Sequence, residues 1–231
     1  MHAVDAMYIA PKEGTVAERS GGHPDRHPSR PIDTAVQELR RGRPVVLVGD
    51  QPSQGGELIF AATSATDALL AFVVRQTCGL VSVALPETEC ERLHLPPMSP
   101  YRQRTDGFRC TVSVDAARGI STGISARDRA HTIRLLADRS TLPGDLSRPG
   151  HVLPVPVSDG GVHGFPEAAV ELVAMSGRGA AAGLARIVSA RDDRQLAGPI
   201  ELAEFAAAHQ LVIVGVRDVV DVMSTTLRSA S

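Results

Sequence analysis

The sequence predicts one mixed α/β domain that follows an extended arm. Short β-branched runs alternate with amphipathic segments, and neither an internal repeat nor a long linker interrupts them. A chain of 231 residues can bury one large core. Its hydrophobic content of 43% and charged content of 22% are those of an ordinary globular protein.

The elements follow in order. Residues 1–31 contain the run from Gly21 to Pro31, rich in Gly, Pro and His, which reads as a flexible N-terminal arm. The domain is expected over 32–231. Asp33 or Thr34 can cap a helix through Arg41, with Ala35, Val36 and Leu39 on one face and Gly42 ending it. Pro44 to Val48 is Val-rich and reads as a buried strand, and Glu57 to Ala62 as the next. Thr66 caps a helix over Asp67 to Gln76, whose Leu69, Leu70, Phe72 and Val73 face inward. Leu80 to Leu85 is a strand and Pro86 to Arg92 a short helix. Residues 94–108, with Pro96, Pro97, Pro100 and Tyr101, read as a long functional loop. Cys110 to Asp115 alternates as a strand, and Ser125 opens a helix through Leu136. A strand over His151 to Val157, a helix over Pro166 to Met175, a strand over Leu184 to Val188, a helix over Pro199 to His209 and a strand over Leu211 to Val216 complete the pattern.

Composition removes several classes of function. Lys+Arg 24 against Asp+Glu 26 gives a net charge of −2, without the basic surplus a nucleic-acid binder needs. Aromatic residues are 3% and Trp is absent, which weakens base stacking. No apolar run approaches the roughly 18 residues of a membrane span. Cys78, Cys90 and Cys110 are odd in number and widely spaced, so neither disulfides nor structural zinc is expected, and a reducing cytoplasm is the expected compartment.

Several runs then resemble one enzyme family. Gly42-Arg-Pro-Val-Val-Leu-Val, Glu57-Leu-Ile-Phe-Ala-Ala, Arg75-Gln-Thr-Cys-Gly and Leu95-Pro-Pro-Met occur in order. They are followed by Thr111-Val-Ser-Val-Asp-Ala-Ala-Arg-Gly-Ile-Ser-Thr-Gly-Ile-Ser-Ala-Arg-Asp-Arg, Asp145-Leu-Ser-Arg-Pro-Gly-His-Val-Leu-Pro and Glu167-Ala-Ala-Val-Glu-Leu. The sequence over 34–222 is similar to 3,4-dihydroxy-2-butanone 4-phosphate synthase, which converts ribulose 5-phosphate in riboflavin biosynthesis. The resemblance implies an α+β fold, a single domain with a mixed β-sheet flanked by helices. It also implies a homodimer with active sites near the subunit interface, and a magnesium-dependent reaction.

Against the family's site motifs the chain departs in several places. The family's Arg-Glu-Asn-Glu-Gly-Asp loop aligns with Pro52, Ser53, Gln54, Gly55, Gly56 and Glu57. Ser53 stands where the resemblance implies the first magnesium ligand, and only the last acid persists, as Glu57. The second ligand, the His of Gly-His-Thr-Glu-Ala, aligns with Phe165, followed by Pro166. A Glu of the later strand aligns with Arg186. His151 matches the family's catalytic His in Arg-Pro-Gly-His, and Arg148, Thr122 and Cys78 match as well.

Mg²⁺ wants hard oxygen donors and a carboxylate, which Ser53 and Phe165 do not provide. The expectation is therefore a diverged, repurposed enzyme that uses no cofactor. It would act on a different small anionic or less polar metabolite, in specialised metabolism, with His151 and Glu57 moving protons. Arg186 would hold an anionic group through its forked donors, and Ser53, Gln54, Thr122, Arg148, Phe165, His163 and Cys78 would line the substrate site. Expected partners are a small-molecule substrate and a second copy of the chain, with no nucleic acid and no membrane. The alternatives are a non-catalytic homologue that binds a ligand or a partner, and a genuine 3,4-dihydroxy-2-butanone 4-phosphate synthase.

Overall fold

The computed structural model of the chain describes residues 31–99, 109–158 and 161–229. The expected arm, apart from Pro31, and most of the expected 94–108 loop, with Pro100 and Tyr101, lie outside the described residues. Pro31 itself opens α1 (Pro31–Arg40), two residues before the expected cap. Proline's fixed φ suits the first helical position, where no amide donor is needed.

The described residues form seven strands in one mixed sheet: β1 (Val45–Val48), β2 (Gly56–Ala61), β3 (Ser82–Pro86), β4 (Val114–Ala116), β5 (Leu146–Val157), β6 (Ala182–Arg186) and β7 (Ile213–Gly215). Their spatial order is β4-β5-β3-β6-β2-β1-β7. The β1/β7 and β3/β5 pairs are parallel and the remaining pairs antiparallel, giving the expected α+β class. Helices α2 (Asp67–Gln76), α3 (Glu87–Arg92), α4 (Ala126–Ala137), α5 (Phe165–Met175), α6 (Pro199–His209) and α7 (Val216–Ser229) join α1 around it. Among the described residues no helix is long and apolar enough to cross a membrane.

Alternation along the strands divides the core in two. Val46, Leu58 and Phe60 pack with Leu69, Leu70, Ile133 and Leu202, so α2, α4 and α6 cover one face. Val45, Leu47 and Ile59 pack with Leu39, Leu172 and Val219, so α1, α5 and α7 cover the other. Burial on both faces explains why β1 and β2 read as continuous apolar runs rather than alternating ones.

Helix α7 replaces the end of the expected final strand. Val216, Val219, Val220 and Met223 recur at helical spacing and meet the second core cluster. The expected Cys110–Asp115 strand shrinks to three residues, because Thr111 instead bridges Pro97 and donates its amide to Pro154 O at 3.1 Å. Strand β5 begins at Leu146, earlier than expected. Its register against β4 jumps from Val114↔Val152 to Asp115↔Ser147, so Arg148–His151 bulge out beside Asp115. Gly150 is required there, since a Cβ would come within 2.0 Å of the Val114 carbonyl carbon.

Candidate active site

The bulge in β5 carries His151 to the side chain of Asp115 on β4. His151 Nδ1 lies 2.7 Å from Asp115 Oδ2, and the His151 amide donates to Asp115 Oδ1 at 3.0 Å. Asp115 is buried, whereas the His151 side chain keeps 40% of its surface exposed. A carboxylate at Nδ1 selects the tautomer with its proton there and leaves Nε2 as the acceptor. His151 lines a cavity of about 480 Å³ together with Ser113, Arg129, Gly150, Leu80 and Met98. Asp115 is a candidate functional residue that the sequence reading missed. A lone acid in an otherwise apolar and hydroxylic strand, within the Thr111-Val-Ser-Val-Asp match, was the available signal.

A second cavity of about 600 Å³ opens on the other part of the sheet. Ser53, Gln54, Glu57, Cys78, His163, Phe165 and Arg186 all line it, so seven of the expected site residues do converge. Register brings Glu57 and Arg186 opposite each other on β2 and β6. Arg186 Nη2 lies 2.7 Å from Glu57 Oε1, and Arg186 Nη1 donates to Gln54 O at 2.7 Å. The Phe165 ring, first residue of α5, supports the guanidinium at 4.7 Å from its centroid. Burial pushes the Glu57 carboxyl up from its ordinary value, and Arg186 offsets part of that rise.

The expected His151–Glu57 pair does not form within the chain. Each lines a different cavity, and His151 takes Asp115 as its partner. Among the described residues, only Leu80 lines both cavities. Arg148 lines neither; its guanidinium donates to Leu93 O, Pro143 O and Leu146 O, and so ties down the chain before His151. Thr122 lines neither cavity and is exposed.

Comparisons with known proteins agree with this architecture. The family model for 3,4-dihydroxy-2-butanone 4-phosphate synthase matches residues 33–222. The chain belongs to the 3,4-dihydroxy-2-butanone 4-phosphate synthase family. Riboflavin biosynthesis protein RibBA of Salinispora arenicola is 48% identical over 193 residues, covering 82% of this chain and 46% of the relative. The RibBA protein of Nocardia farcinica is 46% identical over 193 residues, again 82% of this chain and 47% of its own. The chain thus spans about half the length of the curated relatives it matches. A crystal structure of 3,4-dihydroxy-2-butanone 4-phosphate synthase with two magnesium ions superposes with a TM-score of 0.79 at 33% identity, covering 84% of this chain and 97% of that one.

These matches correct two expectations. Close likeness to riboflavin biosynthesis proteins over most of the chain overturns the reading of a repurposed, metal-independent enzyme in specialised metabolism. The magnesium-bound relative overturns the expectation that this chain uses no cofactor. The donor set at the corresponding place is nevertheless poor. Ser53 offers a neutral hydroxyl, Phe165 no donor, and the Glu57 carboxylate is engaged by Arg186. No group of three or more His, Cys, Asp or Glu side chains that could hold a metal ion occurs among the described residues. The described side chains do not compose the oxygen cage that magnesium prefers.

Proposed function

We propose that the chain catalyses the family's lyase reaction, converting ribulose 5-phosphate to 3,4-dihydroxy-2-butanone 4-phosphate and formate. The observation that carries this reading is the 2.7 Å Asp115–His151 contact beside a cavity. Enolising a ketose requires removal of a proton from the carbon next to the carbonyl. His151 takes it through Nε2, while Asp115 accepts from Nδ1–H and stabilises the imidazolium that forms. Buried Asp115 also holds the ring through its bond to the His151 amide, so little reorganisation accompanies the transfer.

Arg186 serves the phosphate, the second copy of a homodimer bringing this cavity to the His151 cavity of its neighbour. Glu57, Gln54 and Phe165 fix the plane of the Arg186 guanidinium while leaving N–H donors over for a ligand. Glu57 acts by positioning Arg186. The active form is a homodimer: Leu80, Met98 and Ile124 are 60%, 51% and 59% exposed around the His151 cavity, and a second copy would take that apolar rim out of water.

The test is formate release from ribulose 5-phosphate by the purified protein with magnesium supplied, together with its mass in solution. Formate release that disappears in His151→Ala supports the reading. A folded protein that releases none overturns it.

A further inference from the structure

Asp128 is a buried acid that neither cavity uses. It occupies the third position of α4, where its amide donates to the cap Ser125 Oγ at 3.0 Å. Its Oδ2 accepts three hydrogen bonds from one turn: Ser121 N at 3.1 Å, Ser121 Oγ at 2.8 Å and Gly123 N at 3.1 Å. A helix cap does not need those contacts, because Ser125 already supplies it.

The clamped turn presses on the proton-moving pair. Gly123 has φ +83°, and a Cβ there would lie 2.1 Å from Asp115 Oδ2 and 2.7 Å from His151 Nδ1. Only a glycine backbone fits against that hydrogen bond. A second link runs through the helix itself. Thr132 Oγ1 donates to Asp128 O at 3.1 Å and accepts from the amide of Ala116, the residue after Asp115, at 2.9 Å. Asp128 therefore grips the surroundings of Asp115 from two sides, through the turn and through Thr132.

We infer that Asp128 is a positioning residue for the His151–Asp115 pair, its carboxylate holding the Ser121–Gly123 turn as a cover that keeps water off the Nδ1···Oδ2 bond. The inference deepens the proposed reaction and rests on His151 being its proton carrier. The test therefore reads the imidazole directly as well as the turnover. In the ¹⁵N-labelled whole protein, the ring N–H signal that vanishes in His151→Gln is followed for exchange with solvent.

Asp128→Ala should speed that exchange by about tenfold or more. It should lower kcat roughly 10- to 100-fold, with KM changed much less. Asp128→Asn, which keeps an acceptor oxygen, should fall between. Ser125→Ala removes the cap of the same helix and one contact of the Asp128 carboxyl, but leaves its three bonds to the turn, and should change the exchange far less. If Asp128→Ala does not fold, Asp128→Asn and Ser121→Ala carry the same test. Wild-type exchange at the rate of an open ring, unchanged exchange in the Asp128 variants, or an equal acceleration in Ser125→Ala would overturn the inference. Faster ring exchange in a protein that releases no formate would leave the positioning intact and remove the proposed reaction instead.

Discussion

The two cavities hold their charges in opposite ways. Around His151 the acid belongs to the ring: Asp115 accepts from its Nδ1 and its amide, and Nε2 remains open to the cavity. Around Arg186 the acid is spent on the cation, since Glu57 pairs with it and Phe165 supports it from below. The first arrangement leaves a group able to change its protonation state. The second leaves a guanidinium whose plane is fixed and whose remaining donors face a ligand. One region is suited to chemistry and the other to holding an anion, although both lie on a single sheet.

The largest expected effects separate these roles. His151→Ala should lower kcat by about 10²–10⁴-fold, and Asp115→Asn by roughly 10²-fold, each with little change in KM. Arg186→Gln should chiefly raise KM for the phosphorylated substrate. Steady-state kinetics that reverse this pattern, KM for His151 and kcat for Arg186, would break the comparison.

Smaller effects concern stability. Phe165 is 7% exposed in the second core cluster, so Phe165→Ala should cost about 3 kcal/mol in urea unfolding. Arg186→Met strands buried Glu57 without its partner. Because the Arg186 side chain keeps 32% of its surface in water, the loss should be about 2 kcal/mol, below that of a fully buried pair. Adding Glu57→Leu should restore most of it, whereas additive losses in the double variant would show that the pair is not coupled.

The smallest contrast is in pH dependence. Hydrogen bonds from Ser121, and then from Gly123 and Ser125, hold the Asp128 carboxyl below its ordinary 3.8. A depressed folded value means stability that is present above 3.8 and lost as pH falls through the folded value. The stability gap between wild type and Asp128→Ala should be full at neutral pH and shrink in strong acid. For Glu57 the sign is reversed. Burial raises its carboxyl above 4.5, so its charged form is disfavoured in the fold and its contribution improves as pH falls through that raised value. Urea unfolding of Glu57→Gln beside wild type at neutral and acid pH checks the second sign.

Much of the fold was legible from pattern alone. The Thr66 cap, whose Oγ1 accepts from Leu69 N at 3.1 Å, and the inward face of α2 appear as the spacing implied. Elements were misjudged where tertiary contacts override local pattern. Thr111 bonds sideways to Pro154 instead of extending β4, and Val216, read as the end of the final strand, opens α7, whose apolar spacing is helical. Seven site residues could be gathered from family motifs and their neighbours, and two of them, Glu57 and Arg186, face each other on adjacent strands. Asp115, Asp128 and the Ser121–Gly123 turn could not, because their roles depend on a four-residue bulge that no linear spacing encodes.

By itself, then, the sequence determined the class of fold, the two-faced burial of its strands and the family, since these follow from periodicity and from long motif matches. Only the tertiary structure decided which acid serves which base. Strand register set Glu57 opposite Arg186 and gave Asp115 to His151, and a shift of one residue in either pairing would have exchanged the faces on which those side chains meet.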